Sequence, residues 1–341
     1  MDTNTNSRLL TMMIYEIYKK YSDEEHPINS VKIQEYLKLD YDVTINRGTL
    51  INHIKALTDF GIEIQNADNY LNGKFLLDRQ LEKSEVYLLS NAIHSAHFIP
   101  KSNSKELIEK LLETQSNYFK KRFHNTVHIE NPRKSVNRDF FYNIESILDA
   151  IDKHIAISFS YMHYNYNKKL ERGTEHSDPT KIKIHTVYPY FIVTENDNTY
   201  LICKHTHHME SMLHYRIDKI ADIQLLKDLK TPSLPTPLDP YEYTRTKSYM
   251  YGGEIKTIIM RCDKKILDDI IDQFGKDIMP IPLKNNPDMF QVMVKSSTQG
   301  IVYFALQYLN YCEILEPKEV REEILSMLTV NFEKYAKEVE K

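Results

Sequence analysis

The residues between Asn46 and Leu57 combine several hydrogen-bond donors with a complete absence of Asp and Glu. Leu50, Ile54 and Leu57 share one face of a 3.6-residue period, and Gly61 follows at a position typical of helix-ending glycines, so the stretch predicts a helix. Basic and amide side chains near the start of such a helix donate to base edges and phosphates in the major groove of DNA. The candidate DNA-contacting residues are Asn46, Arg47, Thr49, Asn52, His53 and Lys55.

Two interpretations of this segment stay open. It contains a single arginine, Arg47, although arginine is the commonest bidentate reader of guanine. The segment is therefore either a DNA-reading helix or the solvated face of a helix in a protein-interaction or RNA-binding module. The whole chain has a net charge of −4 and a pI near 6.4, so any contact with nucleic acid has to be local.

A second candidate surface lies in residues 198–205, which read as a β-strand. Strand alternation places Tyr200, Ile202 and Lys204 on one face, while the opposite face reads as core and carries Thr199, Leu201 and Cys203. Aromatic rings stack on bases and cations hold phosphates, so the first face suits a nucleotide-like ligand.

Metal and catalytic sites are not indicated. His205, His207, His208 and His214 cluster in a predicted loop, but no carboxylate or cysteine is spaced to complete a familiar metal site, and solvated histidines are the plainer interpretation. The three cysteines are widely scattered, and the chain lacks the G-x-S-x-G, P-loop, Rossmann and H-E-x-x-H patterns. We therefore expect no cofactor and no enzymatic activity.

The elements before and after the candidate DNA helix predict a winged helix-turn-helix in residues 1–80. Leu9, Met12, Met13, Ile17 and Tyr21 have helical spacing, and Ser30 is placed to cap a second helix that ends near Leu39. Residues 62–77 alternate weakly around the turn signal Asn72-Gly73, which is the pattern of a small hairpin. In this hairpin Lys74 is placed to approach a phosphate.

The rest of the chain divides by composition and periodicity. Residues 81–138 read as a helical linker interrupted near Pro100 and suited to dimerisation, and residues 139–230 as a helix followed by the antiparallel strands of a small barrel. Residues 231–253 gather four prolines and predict a linker, while residues 254–341 alternate strands and helices in an α+β order.

Length and composition agree with a multidomain globular protein. The chain has 341 residues, of which 41% are hydrophobic and 27% charged, so two or three packed domains are expected. It contains no apolar stretch long enough to cross a membrane and begins without a secretory signal pattern, so a cytoplasmic location is expected.

The central segment resembles the WYL family of bacterial transcriptional regulators. Thr199-Tyr200-Leu201 stands where that family carries Trp-Tyr-Leu, and three further runs follow the family's order and spacing, namely Phe159-Ser160-Tyr161, Tyr188-Pro189-Tyr190 and residues 215–220 (YRIDKI). The resemblance covers nearly the whole chain. It implies an Sm-like (SH3-type) barrel, a ferredoxin-like C-terminal extension, homodimers and binding to operator DNA.

The resemblance also implies a ligand site in the barrel. It places Tyr161, His185, Tyr188 and Arg216 near Tyr200 and Lys204, with a nucleotide, an oligonucleotide or a single strand as the signal. Arg216 combines a permanent charge with fork geometry for phosphate, although a salt bridge to Asp218 or Asp222 is the alternative, and the tyrosines also suit the rim of a barrel. His185 stands where many relatives have arginine, so we expect a less basic ligand site. The Ile51-Asn52-His53 run stands where relatives often have an aromatic-Arg-Asp run, so the DNA sequence preference of relatives does not carry over.

Overall fold

Three helices and a β-hairpin form the first part of the chain. The computed structural model describes residues 7–67, 72–126, 134–195, 197–236, 238–247 and 250–336, and it divides into two units, residues 1–136 and residues 137–341. In order, the first elements are α1 (Ser7–Tyr21), α2 (Ser30–Tyr41), α3 (Arg47–Asp59), β1 (Ile64–Asn66) and β2 (Lys74–Leu76).

Helices α1 to α3 share one apolar core, but two sequence expectations for them were wrong in whole or in part. The side chain of Asn29, not Ser30, caps α2, because its oxygen accepts the backbone N–H of Lys32 at 3.0 Å. On α1 the predicted face is correct only in part, since Ile17 is buried and Met13 and Tyr21 pack against the core, but Leu9 and Met12 are exposed. The buried stripe that faces α2 and α3 consists of Leu10, Ile14, Ile17 and Tyr18.

The hairpin is short and is held close to the start of α2. Strands β1 and β2 pair antiparallel, and Lys74 also forms a backbone bridge with Ile28. A Cβ atom on Gly73 would lie 2.7 Å from the carbonyl carbon of Ile28, so only glycine allows this approach. Asn72 and Gly73 lead directly into β2, and the predicted hairpin turn belongs to a longer connection whose residues 68–71 lie outside the described part of the chain.

Three more helices complete the first unit. They are α4 (Lys83–Ser95), α5 (Lys101–Leu112) and α6 (Asn117–Thr126), with Pro100 at the N-cap of α5 where the sequence predicts the interruption. Val86, Leu112 and Phe123 form their small buried core. Arg79 ties these helices to α1, because its guanidinium donates to the carbonyl oxygens of Lys19, Ser22 and Thr114.

The second unit begins with a helix that packs against an antiparallel sheet. The elements are α7 (Phe140–Asp152), β3 (Ile155–Tyr164), β4 (Leu170–Arg172), β5 (Ile184–Glu195), β6 (Asn198–His205), β7 (Leu213–Arg216) and β8 (Ile220–Lys230). The strand order is β4-β3-β5-β6-β7, with β8 also paired to β3. Asn137 and Asn143 attach the N-terminal end of α7 to β8, because both side chains donate to the carbonyl oxygen of Ile220.

A four-stranded sheet with helices follows. Its elements are β9 (Ile255–Asp263), α9 (Leu267–Phe274), β10 (Ile281–Leu283), β11 (Asn286–Ser297), α10 (Thr298–Gln307), β12 (Cys312–Glu316) and α11 (Lys318–Ala336). All pairs are antiparallel in the order β10-β11-β9-β12. The core comes from alternate residues of the strands, such as Ile258 and Val292, together with the inner faces of the helices, such as Ile270 and Ile301.

The segment predicted as a linker, residues 231–253, is not extended throughout. It contains the helix α8 (Pro240–Thr246), which packs against β5 and β11. Among the described residues, no helix has the length and apolar character needed to cross a membrane.

Candidate nucleic-acid and ligand sites

Helix α3 presents one face to the core and another to a groove. Leu50, Ile54 and Leu57 are buried, as the periodicity predicts. The helix begins at Arg47 because the side-chain oxygen of Asn46 accepts the backbone N–H of Thr49 at 2.8 Å. Asn46 therefore already serves as the N-cap of α3, and its remaining exposed surface is available for contact.

The groove lies between α3, the start of α2 and the hairpin, and its volume is about 660 Å³. Arg47 and Lys55 come from α3, and Lys74 comes from β2, so three of the predicted DNA-contacting residues meet there. Asn72 adds an amide next to Lys74. Among the described residues that line this groove, no side chain is acidic, which makes it a positively charged channel.

The other predicted residues of α3 do not line the groove. The ring of His53 lies against α1, where its Nδ1 is 2.7 Å from the hydroxyl of Thr11 and the pair is partly buried. Asn52 is exposed on another side of the helix, and Thr49 is half-buried. His53 therefore has a packing role that its sequence position does not reveal.

In the second unit, Tyr200 and Arg216 lie directly opposite each other on β6 and β7. The fork of Arg216 is engaged by a buried carboxylate, because its Nε and Nη2 donate to the two oxygens of Asp218 at 3.0 and 2.8 Å. Burial alone would lower the pKa of Arg216, but the bonds to Asp218 raise it above its usual value. The salt-bridge alternative is thus realised with Asp218, whereas Asp222 pairs with Arg172.

Tyr161 and His185 belong to a cluster of aromatic rings. The ring of Tyr215 lies edge-on to both, with centroid distances of 5.1 Å, and its hydroxyl is 2.9 Å from Nδ1 of His185. Burial raises the pKa of Tyr161 to about 12, and its hydroxyl accepts the backbone N–H of Arg216. Burial lowers the pKa of His185 to about 4, so this histidine is neutral at pH 7 and supplies no charge for a phosphate.

Tyr188 and Lys204 form a separate pair. They lie opposite each other on β5 and β6, and Lys204 is four positions from Tyr200 along the strand, a span of about 13 Å. The predicted ligand residues therefore fall into two groups rather than one, because the hydroxyl of Tyr161 accepts the backbone N–H of Arg216 and so joins the aromatic cluster to the pair of Tyr200 and Arg216. Tyr200 and Arg216 are adjacent, Tyr161 and His185 share the aromatic cluster, and the Tyr188 pair stands apart.

The face of β6 that carries Tyr200 is partly covered, which the sequence does not reveal. Ile202 is fully buried, because Tyr243 and Met250 from the predicted linker pack over it. The hydroxyl of Tyr243 is 2.6 Å from Nε2 of His214, and burial lowers the pKa of His214 to about 4. The only sequence signal for this contact is the aromatic content of the proline-rich segment. Thr199, Leu201 and Cys203 are buried as expected.

Lys219 was also missed as a candidate. It lies on the 3-10 turn Ile217–Lys219 after β7, with its ammonium group 5.9 Å from the ring centre of Tyr164, and burial together with the nearby Arg216 lowers its pKa. Because Asp218 neutralises Arg216, Lys219 is a further cation in this part of the domain. Its position in the run 215–220 is the signal that could have identified it.

The histidines after β6 do not converge on a common centre. The rings of His207 and His208 lie 5.7 and 5.6 Å from that of His205, while His214 is engaged with Tyr243. Within the described ranges, no group of three or more His, Cys, Asp or Glu side chains is arranged to hold a metal ion.

Comparison with known proteins identifies the central segment. Residues 142–225 match the family model described as the WYL domain, which spans most of α7 and the strands as far as β8. Every predicted ligand residue lies inside this match, and the groove at α3 lies outside it. No curated protein matches the chain.

The solved structures that are similar to the chain include the following two. One is proteasome accessory factor B/C (PafBC) of Arthrobacter aurescens, with 14% identity, a TM-score of 0.28 and coverage of 98% of this chain and 49% of that one. The other is a CRISPR Cas-related protein, with 15% identity, a TM-score of 0.32 and coverage of 100% and 89%. The chain thus spans about half the length of PafBC.

Proposed function

We propose that this chain, whose residues 142–225 form a WYL domain, is a DNA-binding transcriptional regulator that acts as a homodimer. The observation that carries the proposal is the groove at α3, which brings Arg47, Lys55 and Lys74 together without an acidic neighbour among its described lining residues. In this proposal α1 to α3 and the hairpin are a winged helix-turn-helix. Helix α3 enters the major groove and Lys74 contacts the phosphate backbone.

The same proposal assigns a fold to the other domains. Strands β3 to β8 form the Sm-like barrel of the WYL domain, and the β-α-β-β-α-β order from β9 to β12 is that of a ferredoxin-like domain. The barrel binds a nucleotide, an oligonucleotide or a single-stranded nucleic acid. The ligand regulates the DNA-reading domain because it has different affinities for a state of the protein that binds DNA and a state that does not.

The DNA-binding part is tested with the double variant Arg47→Ala/Lys55→Ala. Fluorescence anisotropy with a labelled duplex from upstream of the chain's own gene measures the affinity. We expect a loss of at least about tenfold, since each good base or phosphate contact contributes about 1–3 kcal/mol. The matched control is Lys38→Ala/Lys105→Ala, which removes two exposed lysines outside the groove and should leave the affinity nearly unchanged. Equal affinities for all three proteins would contradict the proposal.

A second function is favoured by a specific feature of the same groove. Val31 and Ile51 line it and are 61% and 50% exposed, so its walls are partly apolar. Apolar exposed surface of this kind also suits a protein partner. In that case the chain is a protein-interaction or RNA-binding module, and the duplex experiment would show no specific binding.

The ligand part is tested by Tyr200→Ala and Lys219→Ala, because these side chains would stack on a base and attract a phosphate. Anisotropy with a short labelled single-stranded oligonucleotide measures binding. We expect each variant to lose affinity for the single strand while its affinity for duplex DNA is kept. Tyr166→Ala, at a fully exposed tyrosine on the β3–β4 turn, is the control. If Tyr200→Ala and Lys219→Ala bind the single strand as the unchanged protein does, the site has been misplaced.

A further inference from the structure

The last helix, α11, extends beyond the domain to which it belongs. Val320 and Ile324 are buried in the C-terminal core, but every residue from Thr329 to Ala336 is exposed. Phe332 and Tyr335 are 75% and 90% exposed. Helical turns without packing are only marginally stable in water, so these turns need a partner surface.

One side of α11 carries a regular apolar stripe, in which Leu325, Phe332 and Tyr335 are exposed and Leu328 is half-buried against the C-terminal core. Leu325, Leu328, Phe332 and Tyr335 follow one another at intervals of three, four and three residues. This is the a/d spacing of helices that pack side by side in a coiled coil. The hydroxyl of the polar Thr329 between them donates to the carbonyl oxygen of Leu325 in the same helix, so it needs no hydrogen-bond acceptor from another element.

The stripe is complementary to itself. In an antiparallel pair of α11 helices centred on residue 330, Leu325 faces Tyr335 of the second copy and Leu328 faces its Phe332. Each layer then joins one leucine to one aromatic ring, and the twofold axis repeats both layers. In heptad numbering, Leu325 and Phe332 are at a positions, and Leu328 and Tyr335 are at d positions. Each layer therefore pairs an a position with a d position, as antiparallel coiled coils do.

The charges of α11 permit this pairing. Between Ile324 and Ala336 the only charged residues are Glu333 and Lys334, which lie outside the stripe. A second copy therefore meets no like charge across the seam. Leu325 and Leu328 also line a groove of about 370 Å³ beside β12, which would receive the aromatic rings of the second copy.

We propose that α11 is the dimer seam of this protein, with two copies packed antiparallel around residue 330. The inference deepens the proposed function, because it supplies the contact of the proposed homodimer and places it in α11 rather than in residues 81–138. In the described helices of residues 81–138, the exposed large apolar residues are the consecutive Tyr87, Leu88 and Leu89 on α4 and Tyr118 on α6, which do not follow one another at a/d spacing on one helix.

The experiment uses charged substitutions at one layer of the seam and measures the molar mass of the full chain by light scattering at micromolar concentration. Leu325→Lys and Tyr335→Glu should each convert a dimer into a monomer. The double variant Leu325→Lys/Tyr335→Glu should restore the dimer, because each lysine then faces a glutamate of the second copy. Val330→Glu is the matched control, since Val330 is 50% exposed on the same helix but lies off the stripe, and it should stay dimeric.

Three results would overturn the seam. They are a monomeric unchanged protein, a Leu325→Lys variant that stays dimeric, and a double variant that stays monomeric while both singles are folded by circular dichroism. Duplex binding is measured on the same samples. An unchanged protein that is monomeric but binds duplex DNA would overturn the seam and leave the DNA reader in place, whereas an unchanged protein that is dimeric but binds no duplex would overturn the DNA reader and leave the seam in place.

Discussion

At the scale of single residues, the pair of Arg216 and Asp218 limits what the proposed ligand site can bind. The side chain of Asp218 is only 3% exposed, and both of its oxygens are bonded to Arg216. A phosphate would have to compete with this carboxylate for the fork of the arginine. The sequence leaves open whether Arg216 binds a phosphate or pairs with Asp218 or Asp222, and only the three-dimensional distances show that the pair with Asp218 forms.

The prediction at this scale concerns stability rather than ligand binding alone. Arg216→Ala leaves Asp218 buried without its partner, which should reduce the free energy of unfolding by roughly 3 kcal/mol. Thermal unfolding at pH 7 measures the effect. The matched control is Arg172→Ala, which breaks the exposed pair with Asp222 and should cost less than about 1 kcal/mol. Equal costs for the two variants would show that the Asp218 pair is not a buried structural contact.

At the scale of elements, periodicity predicts most helices and strands but not what covers them. The buried residues of α3 and the whole of β9 follow from spacing, because helix and strand periods are local properties. The contact of α8 with β6 joins residues that are far apart in sequence. The proline content of residues 231–253 predicts a linker there, so the sequence does not indicate this contact. The short strand β4 was missed for a similar reason, since it depends on pairing with the end of β3.

The contact between α8 and the sheet gives a pH-dependent stability. The folded chain protonates His214 only near pH 4, whereas an unfolded histidine does so near its ordinary pKa of about 6.5. Unfolding therefore takes up a proton between these values, and stability falls as the pH is lowered from about 6.5 to about 4. Over this pH range, the melting temperature of His214→Gln should fall less below its own value at pH 7 than the melting temperature of the unchanged protein does.

His185 is also buried with a pKa of about 4, so His214→Gln should remove only part of the pH dependence. His176→Gln, at an exposed histidine, is the control and should follow the unchanged protein. A His214→Gln variant with the full acid dependence would show that the Tyr243 contact does not keep His214 neutral.

At the scale of the whole molecule, the proposed DNA, ligand and dimer contacts lie in different parts of one chain. The groove at α3 lies in the first unit, the WYL domain in residues 142–225, and the α11 stripe in the C-terminal domain. The sequence predicts the order of these parts and the central domain. It does not predict which residues of α3 share the groove, because that depends on how the hairpin and α2 pack around the helix.

The central claim is that the groove at α3 binds the phosphates and bases of duplex DNA. The most direct measurement is the dependence of duplex affinity on salt concentration, compared between the unchanged protein and Arg47→Ala/Lys55→Ala/Lys74→Ala. Each lost phosphate contact lowers the slope of log affinity against log salt by about 0.9, so the three substitutions should lower it by about 2 to 3. Identical slopes and affinities for two equally folded proteins would contradict the claim.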